Sequence, residues 1–241
     1  MKRLHRVSAV YIVAMSILPA ISQSSLIGVL PATPGGTDYQ AFYDTEADLT
    51  WLADANAAKG SGFDADVDYP TGLMDWGQAN AWVTGLKING VTGWRLPYAP
   101  DPSTDPTCEG PTPGYFNCSG SEIGNLFYNV LGGVAGESIA TTHNDNYELF
   151  SNVIDIGSGY WSDLDYPPDS FYEWWSDFAD GQAALIDTRI LPYHTYVEHA
   201  WAVHSGNVGA VPLPAAVWLF GCGLLGLIGI AQRRMSRMSS T

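Results

Sequence analysis

Residues 171–182 read FYEWWSDFADGQ, and two stretches of the same kind lie on either side, GYWSDLDY at 159–166 and YVEHAWAVHSG at 196–206. Each is short, aromatic-rich and bounded by turn-forming residues, which is the pattern of antiparallel strands rather than of helices. Upstream, YDTEADLTWLADAN (43–56) alternates, with Leu49, Trp51 and Tyr43 recurring at period two as in a half-buried strand. Between these strands the period changes to helical. Over 72–87, Leu73, Trp76, Ala79, Val83 and Leu86 recur at threes and fours, and Trp76 and Trp82 are placed to anchor the helix on a sheet. A second helix is predicted over 121–132, with Ile123, Leu126, Phe127, Val130 and Leu131 on one face and Glu122 in its first turn. The fold class that follows is α+β: one domain with two helices and an antiparallel sheet.

The adjacent pair Trp174 and Trp175 is a constraint of its own. Consecutive strand residues face opposite ways, so one of the two indoles leaves the main core and is either exposed or covered by a loop. With 9 Trp and 13 Tyr in the chain, two readings stand: a platform on which sugar rings stack, centred on Trp174 and Trp175, or the core of a small sheet. In GWRLP (93–97) the guanidinium of Arg95 enters an apolar stretch and must be paired.

Residues 98–120 form a long loop rich in Pro, Gly and Thr, with Cys108 and Cys118 flanking EGPTPGYFN. In an oxidising compartment two cysteines so placed are most simply a disulfide. A redox or catalytic pair is the rival, but no CxxC spacing, histidine or basic neighbour is there to lower a thiol pKa.

Both ends of the chain point to export. Met1 to about Ser24 has a basic start (Lys2, Arg3, Arg6) and a short apolar stretch, the form of a secretory signal peptide over 1–24, with a retained membrane helix as the alternative. At the other end, 211–231 carries no charge and is followed by Arg233, Arg234 and Arg237. An apolar run of roughly 20 residues matches the bilayer core, and the arginines after it stay cytoplasmic. Residues 25–43 read as a lead-in to a domain over 44–206.

Between these ends lie only Lys59, Lys87, Arg95 and Arg189 against all 25 Asp and Glu, a balance of −21. Nucleic acid is thereby excluded as a partner, because binding it needs cations to replace phosphate counterions. Anionic glycans are repelled unless divalent ions bridge the two charges. Asp64, Asp66 and Asp68 stand at alternate positions like the opening of a calcium loop. Tyr69 stands where such a loop needs Gly, and Asp75 where it needs Glu, so a solvated acidic loop competes with bound calcium. His194, His199 and His204 recur at fives, a spacing that keeps them on no common face.

Two resemblances add to this. Val211, Pro212, Leu213, Pro214 and Ala215, with the apolar run and arginine cluster after them, resemble the PEP-CTERM sorting signal of the VPLPA type, over 211–237. The resemblance implies recognition by an exosortase of a Gram-negative bacterium, with the tail as address and temporary membrane anchor. LTWLADAN, TGLMDWGQANAWV, GWRLP, SEIGNLFYNVLG, GYWSDLDY and HAWAVHSG, in that order, resemble the Lcl C-terminal domain family. That resemblance implies a single C-type-lectin-like domain, related also to the formylglycine-generating enzymes, and some members are glycan-binding adhesins. His204 stands where the final strand more often has Arg. No cysteine follows Cys118 within the domain, which disfavours formylglycine chemistry. The expected function is a non-enzymatic cell-surface or exopolysaccharide-matrix protein that binds glycan. The alternative is a secreted hydrolase on a lectin-like scaffold, without GxSxG or another recognisable nucleophile motif.

Overall fold

The computed structural model describes residues 25–66, 68–111, 114–166, 172–187 and 197–209. The segments expected to be signal peptide (1–24) and sorting signal (211–237), and His194, lie outside the described residues. Among the described residues no helix is long and apolar enough to cross a membrane.

The chain is α+β, with helices and antiparallel sheets. Among the described residues there are two sheets where the sequence suggested one. The first comprises β1 (Leu26–Pro31), β2 (Tyr39–Asp44), β3 (Leu49–Leu52) and β8 (Val203–Ser205) in the order β1-β2-β3-β8. The second comprises β4 (Gly114–Tyr115), β5 (Tyr160–Tyr166), β6 (Tyr172–Ser176) and β7 (Ala183–Asp187) in the order β4-β7-β6-β5. The proposed lead-in, 25–43, is thus itself sheet structure: β1 pairs with β2 from Leu26↔Asp44 to Pro31↔Tyr39, and buries Val29 and Leu30. Its Pro and Gly residues obscured a strand whose turn they make. β3 is buried along its whole length and not half-buried as its alternation implied, because Thr50 is taken inside by a hydrogen bond to the Gly206 carbonyl at 2.7 Å.

Helix α1 runs Trp76–Gly85, shorter than the 72–87 of the apolar pattern. Its start is fixed by a capping box: the Asp75 carboxylate accepts from Gln78 N at 2.7 Å and the Gln78 side chain accepts from Asp75 N at 3.0 Å. Met74, one residue earlier, is already paired with Glu198. Trp76 Nε1 donates to the Ser162 carbonyl at 2.8 Å, tying the helix to β5. The second helix begins as α2 (Glu122–Asn125), continues as a π-helical turn over Leu126–Val130, and buries all five residues of its predicted face. A short α3 (Ile139–Thr142) and a 3₁₀ turn (Tyr147–Leu149) follow.

The stretch 196–206 is not one strand. Glu198 bridges Met74, His199 bridges Tyr160, and only Val203–Ser205 joins a ladder. In its middle Trp201 sits fully buried between the sheets, with ring centroids 5.8 Å from Trp51, 5.2 Å from Phe150 and 5.2 Å from Tyr160. Its Nε1 donates to the Leu52 carbonyl at 2.9 Å. Replacing Trp201 by Ala removes this shared filling and leaves an orphaned carbonyl. Trp201→Ala is expected to lower stability by about 3–5 kcal/mol, read as a drop in the urea midpoint.

Candidate functional site

The arginine of the apolar stretch is paired as expected. Arg95 Nη1 and Nη2 lie 2.6 and 2.7 Å from the two Glu122 oxygens, and Nη2 also donates to Ser205 Oγ at 3.1 Å. The Glu122 contact raises the Arg95 pKa. A bidentate pair of this kind joins β8, the 93–97 segment and the start of α2. It holds one wall of a cleft of about 430 Å3, whose other wall is the β2–β3 turn. Glu46, Ser119, Asn125 and Asn129 line it, above a floor that includes Leu49 and Val130. Asn125 at the end of α2 and Asn129 on the π-helical turn are tied by a 2.7 Å hydrogen bond. Such a lining offers hydrogen bonds and negative charge but no aromatic face.

The Trp pair is divided as strand geometry demands. Trp175 packs against the main core, and Trp174 lies in a second small core with Tyr115, Cys118 and Ala183. Cys108 and Cys118 form a disulfide, and the loop it closes covers Trp174, which is only 2% exposed. For Trp174 this corrects the stacking-platform reading: it has no face to offer a sugar, and the cavity it shares with the half-buried Trp175 is about 10 Å3. Trp175 is held in place by Gly159, where any Cβ would overlap its ring.

The acidic loop is also used inward. Asp64 is buried and accepts from Gly60 N at 2.9 Å and Gly72 N at 2.6 Å, closing the loop on itself. Asp66 accepts from the Asp68 and Tyr69 backbone at 3.0 and 3.2 Å. The three carboxylates do not converge, and among the described residues no group of three His, Cys, Asp or Glu could hold a metal ion. Asp64 and Asp66 are turn-forming side chains, whose oxygens serve backbone N–H groups.

Sequence reasoning missed a buried polar cluster. His199 Nδ1 lies 3.0 Å from Ser158 Oγ, and burial lowers the imidazole pKa. The neighbouring Glu198 carboxylate accepts from Gly159 N at 2.7 Å, and burial, reinforced by Asp177, pushes its pKa up to about 7. Asp163, beside Ala99 N, is likewise raised by burial, to about 6. Ser158 and His199 are 41 residues apart, so no spacing signal could have joined them. The two have the contact of a nucleophile and its base, but neither lines any of the cavities described here. His204 packs edge-on against Trp94 at 5.6 Å. Comparison with protein-family models, with characterised proteins and with solved structures finds no match.

Two measurements check this geometry. Because the folded state holds the Glu198 proton more tightly than the unfolded chain, its stabilisation is present below about pH 4.5 and lost as pH rises through about 7. Between those limits the wild type is expected to lose about 3 kcal/mol more than Glu198→Gln in urea titrations. Replacing both Cys108 and Cys118 by Ser is expected to cost about 3 kcal/mol on the chain-entropy model. Loosening the cover of Trp174 should also shift the fluorescence emission to the red, and an unchanged spectrum would contradict the loop's role.

Proposed function

We propose that the chain is an exported, non-enzymatic protein of the cell surface or exopolysaccharide matrix of a Gram-negative bacterium, sorted by an exosortase and binding glycan. The observation that carries the reading is the tail. VPLPA at 211–215 is followed by an uncharged run to 231 and then by Arg233 and Arg234. A run of that length matches the hydrocarbon core, and arginines directly after it hold the helix until processing. The Cys108–Cys118 disulfide agrees with an oxidising destination.

The ordered motifs that resemble the Lcl C-terminal domain family support a C-type-lectin-like scaffold, and an α+β chain of antiparallel sheets is compatible with it. A charge of −21 between the two end segments directs the choice of partner away from nucleic acid and anionic polymers and toward neutral sugars. The hydrolase alternative has one observation in its favour, the Ser158–His199 contact, and labelling of Ser158 by a fluorophosphonate probe would establish it. Without a lining cavity that contact reads as a buried hydrogen bond.

In cells that contain an exosortase, the exported protein is expected to lack residues 1 to about 24 and everything beyond the VPLPA signature. Pro212→Ala with Pro214→Ala should leave the long form in the membrane fraction. Intact-mass analysis that finds the whole tail on exported wild-type protein overturns the reading.

A further inference from the structure

Trp174 is covered, but another aromatic residue, Tyr39, lines a cavity. Tyr39 opens β2 opposite Pro31, and its ring lies against Gly28 of β1, where any Cβ would overlap the ring atoms. Phe42 meets it edge-on, with centroids 6.2 Å apart. Backbone on one side and a ring at its edge hold Tyr39 in a fixed orientation. Tyr39 lines a cavity of about 280 Å3 beside the first sheet, together with Leu52, Ile88, Gln40, Asp54 and Ser151.

The polar groups of this cavity are fixed as well. Asp54 Oδ1 accepts from Asn56 N at 2.9 Å and from Asn152 Nδ2 at 3.0 Å, and Gln40 Nε2 donates to the Leu30 carbonyl at 3.2 Å. A binding surface frozen before the ligand arrives loses little side-chain entropy on binding.

We infer that this cavity is a binding site for one neutral sugar ring of a glycan, with Tyr39 as the stacking face and Asp54, Gln40 and Ser151 as hydroxyl partners. The assignment rests on the glycan-binding reading above and gives it a location. A pyranose has apolar C–H faces that suit an aromatic ring and a rim of hydroxyls that need hydrogen bonds, and this lining supplies both. A purely apolar ligand would desolvate Asp54 and Gln40 without replacing their hydrogen bonds. An anionic ligand would meet the Asp54 carboxylate and the strongly negative domain around it. The cleft beside Arg95 and Glu122, although larger, lacks the aromatic face.

The test is titration calorimetry of the full-length chain in detergent micelles with cellotetraose, maltotetraose and a tetramer of β-1,6-linked N-acetylglucosamine. At least one should bind. Tyr39→Leu should then weaken binding about five- to tenfold, Tyr39→Phe should retain most of it, and Ser151→Trp, which fills the cavity from an exposed position, should abolish it. Asn129→Arg, which blocks the other cleft, should leave it unchanged. If the wild type binds and Ser151→Trp binds equally well, or Asn129→Arg abolishes binding, the Tyr39 site is refuted while the glycan-binding reading stands. If the wild type binds none of the three sugars, the glycan-binding reading falls, and this site with it.

Discussion

The structure depends on one irregular segment, 197–206, that hydrogen-bonds to β3, to Met74 before α1, to Arg95 and to the start of β5. Glu198 exchanges two backbone bonds with Met74 at 3.0 and 3.1 Å, and the His199 carbonyl accepts from Trp161 N at 2.9 Å. The Ala202 carbonyl accepts from Leu52 N at 3.1 Å, and Val203 exchanges two bonds of 2.9 Å with Arg95. Only the end of the segment, β8, is a regular strand; the part before it is irregular because it hydrogen-bonds to Met74 and Trp161 as well as to the first sheet. Trp201 fills the space this creates, its rings shared with Trp51 of the first sheet and Tyr160 of the second. Its burial joins the apolar faces of the two sheets into one core.

Around that seam, charge is handled by internal use of carboxylates. Asp75 caps α1, Asp64 closes the acidic loop, and Glu122 holds Arg95. Each places a carboxylate where backbone N–H groups or a guanidinium stabilise it. Glu198 is the contrasting case: buried beside Asp177 with one backbone donor, it keeps its proton up to about pH 7. The acids that remain outside give the surface its sign, which bears on partner choice far more than on fold.

The second small core shows how a covalent link substitutes for size. The disulfide loop covers Trp174 on the side of the sheet turned away from Trp201, where too few residues are available for a proper apolar layer. A side chain that looked suited to ligand stacking is thereby structural. The ring with a cavity before it is Tyr39, in a segment whose composition advertised only a lead-in.

The sequence by itself determined the elements whose cause is local. Helical spacing at 76–85, the buried face of 122–130, the pairing demanded by Arg95, the disulfide and the opposed faces of Trp174 and Trp175 all follow from periodicity, charge and strand alternation. The export signals proposed for the two ends are likewise readings of local composition. Only the tertiary structure decided what depends on residues far apart in the chain. The split into two sheets, the recruitment of 26–31 into a ladder and the meeting of Ser158 with His199 have no signature at fixed spacing. Which indole the loop covers, and that Tyr39 rather than a tryptophan faces a cavity, are also set by long-range packing. Alternation states that two neighbouring side chains face opposite ways. Which face becomes interior is fixed by the segments that arrive to cover it.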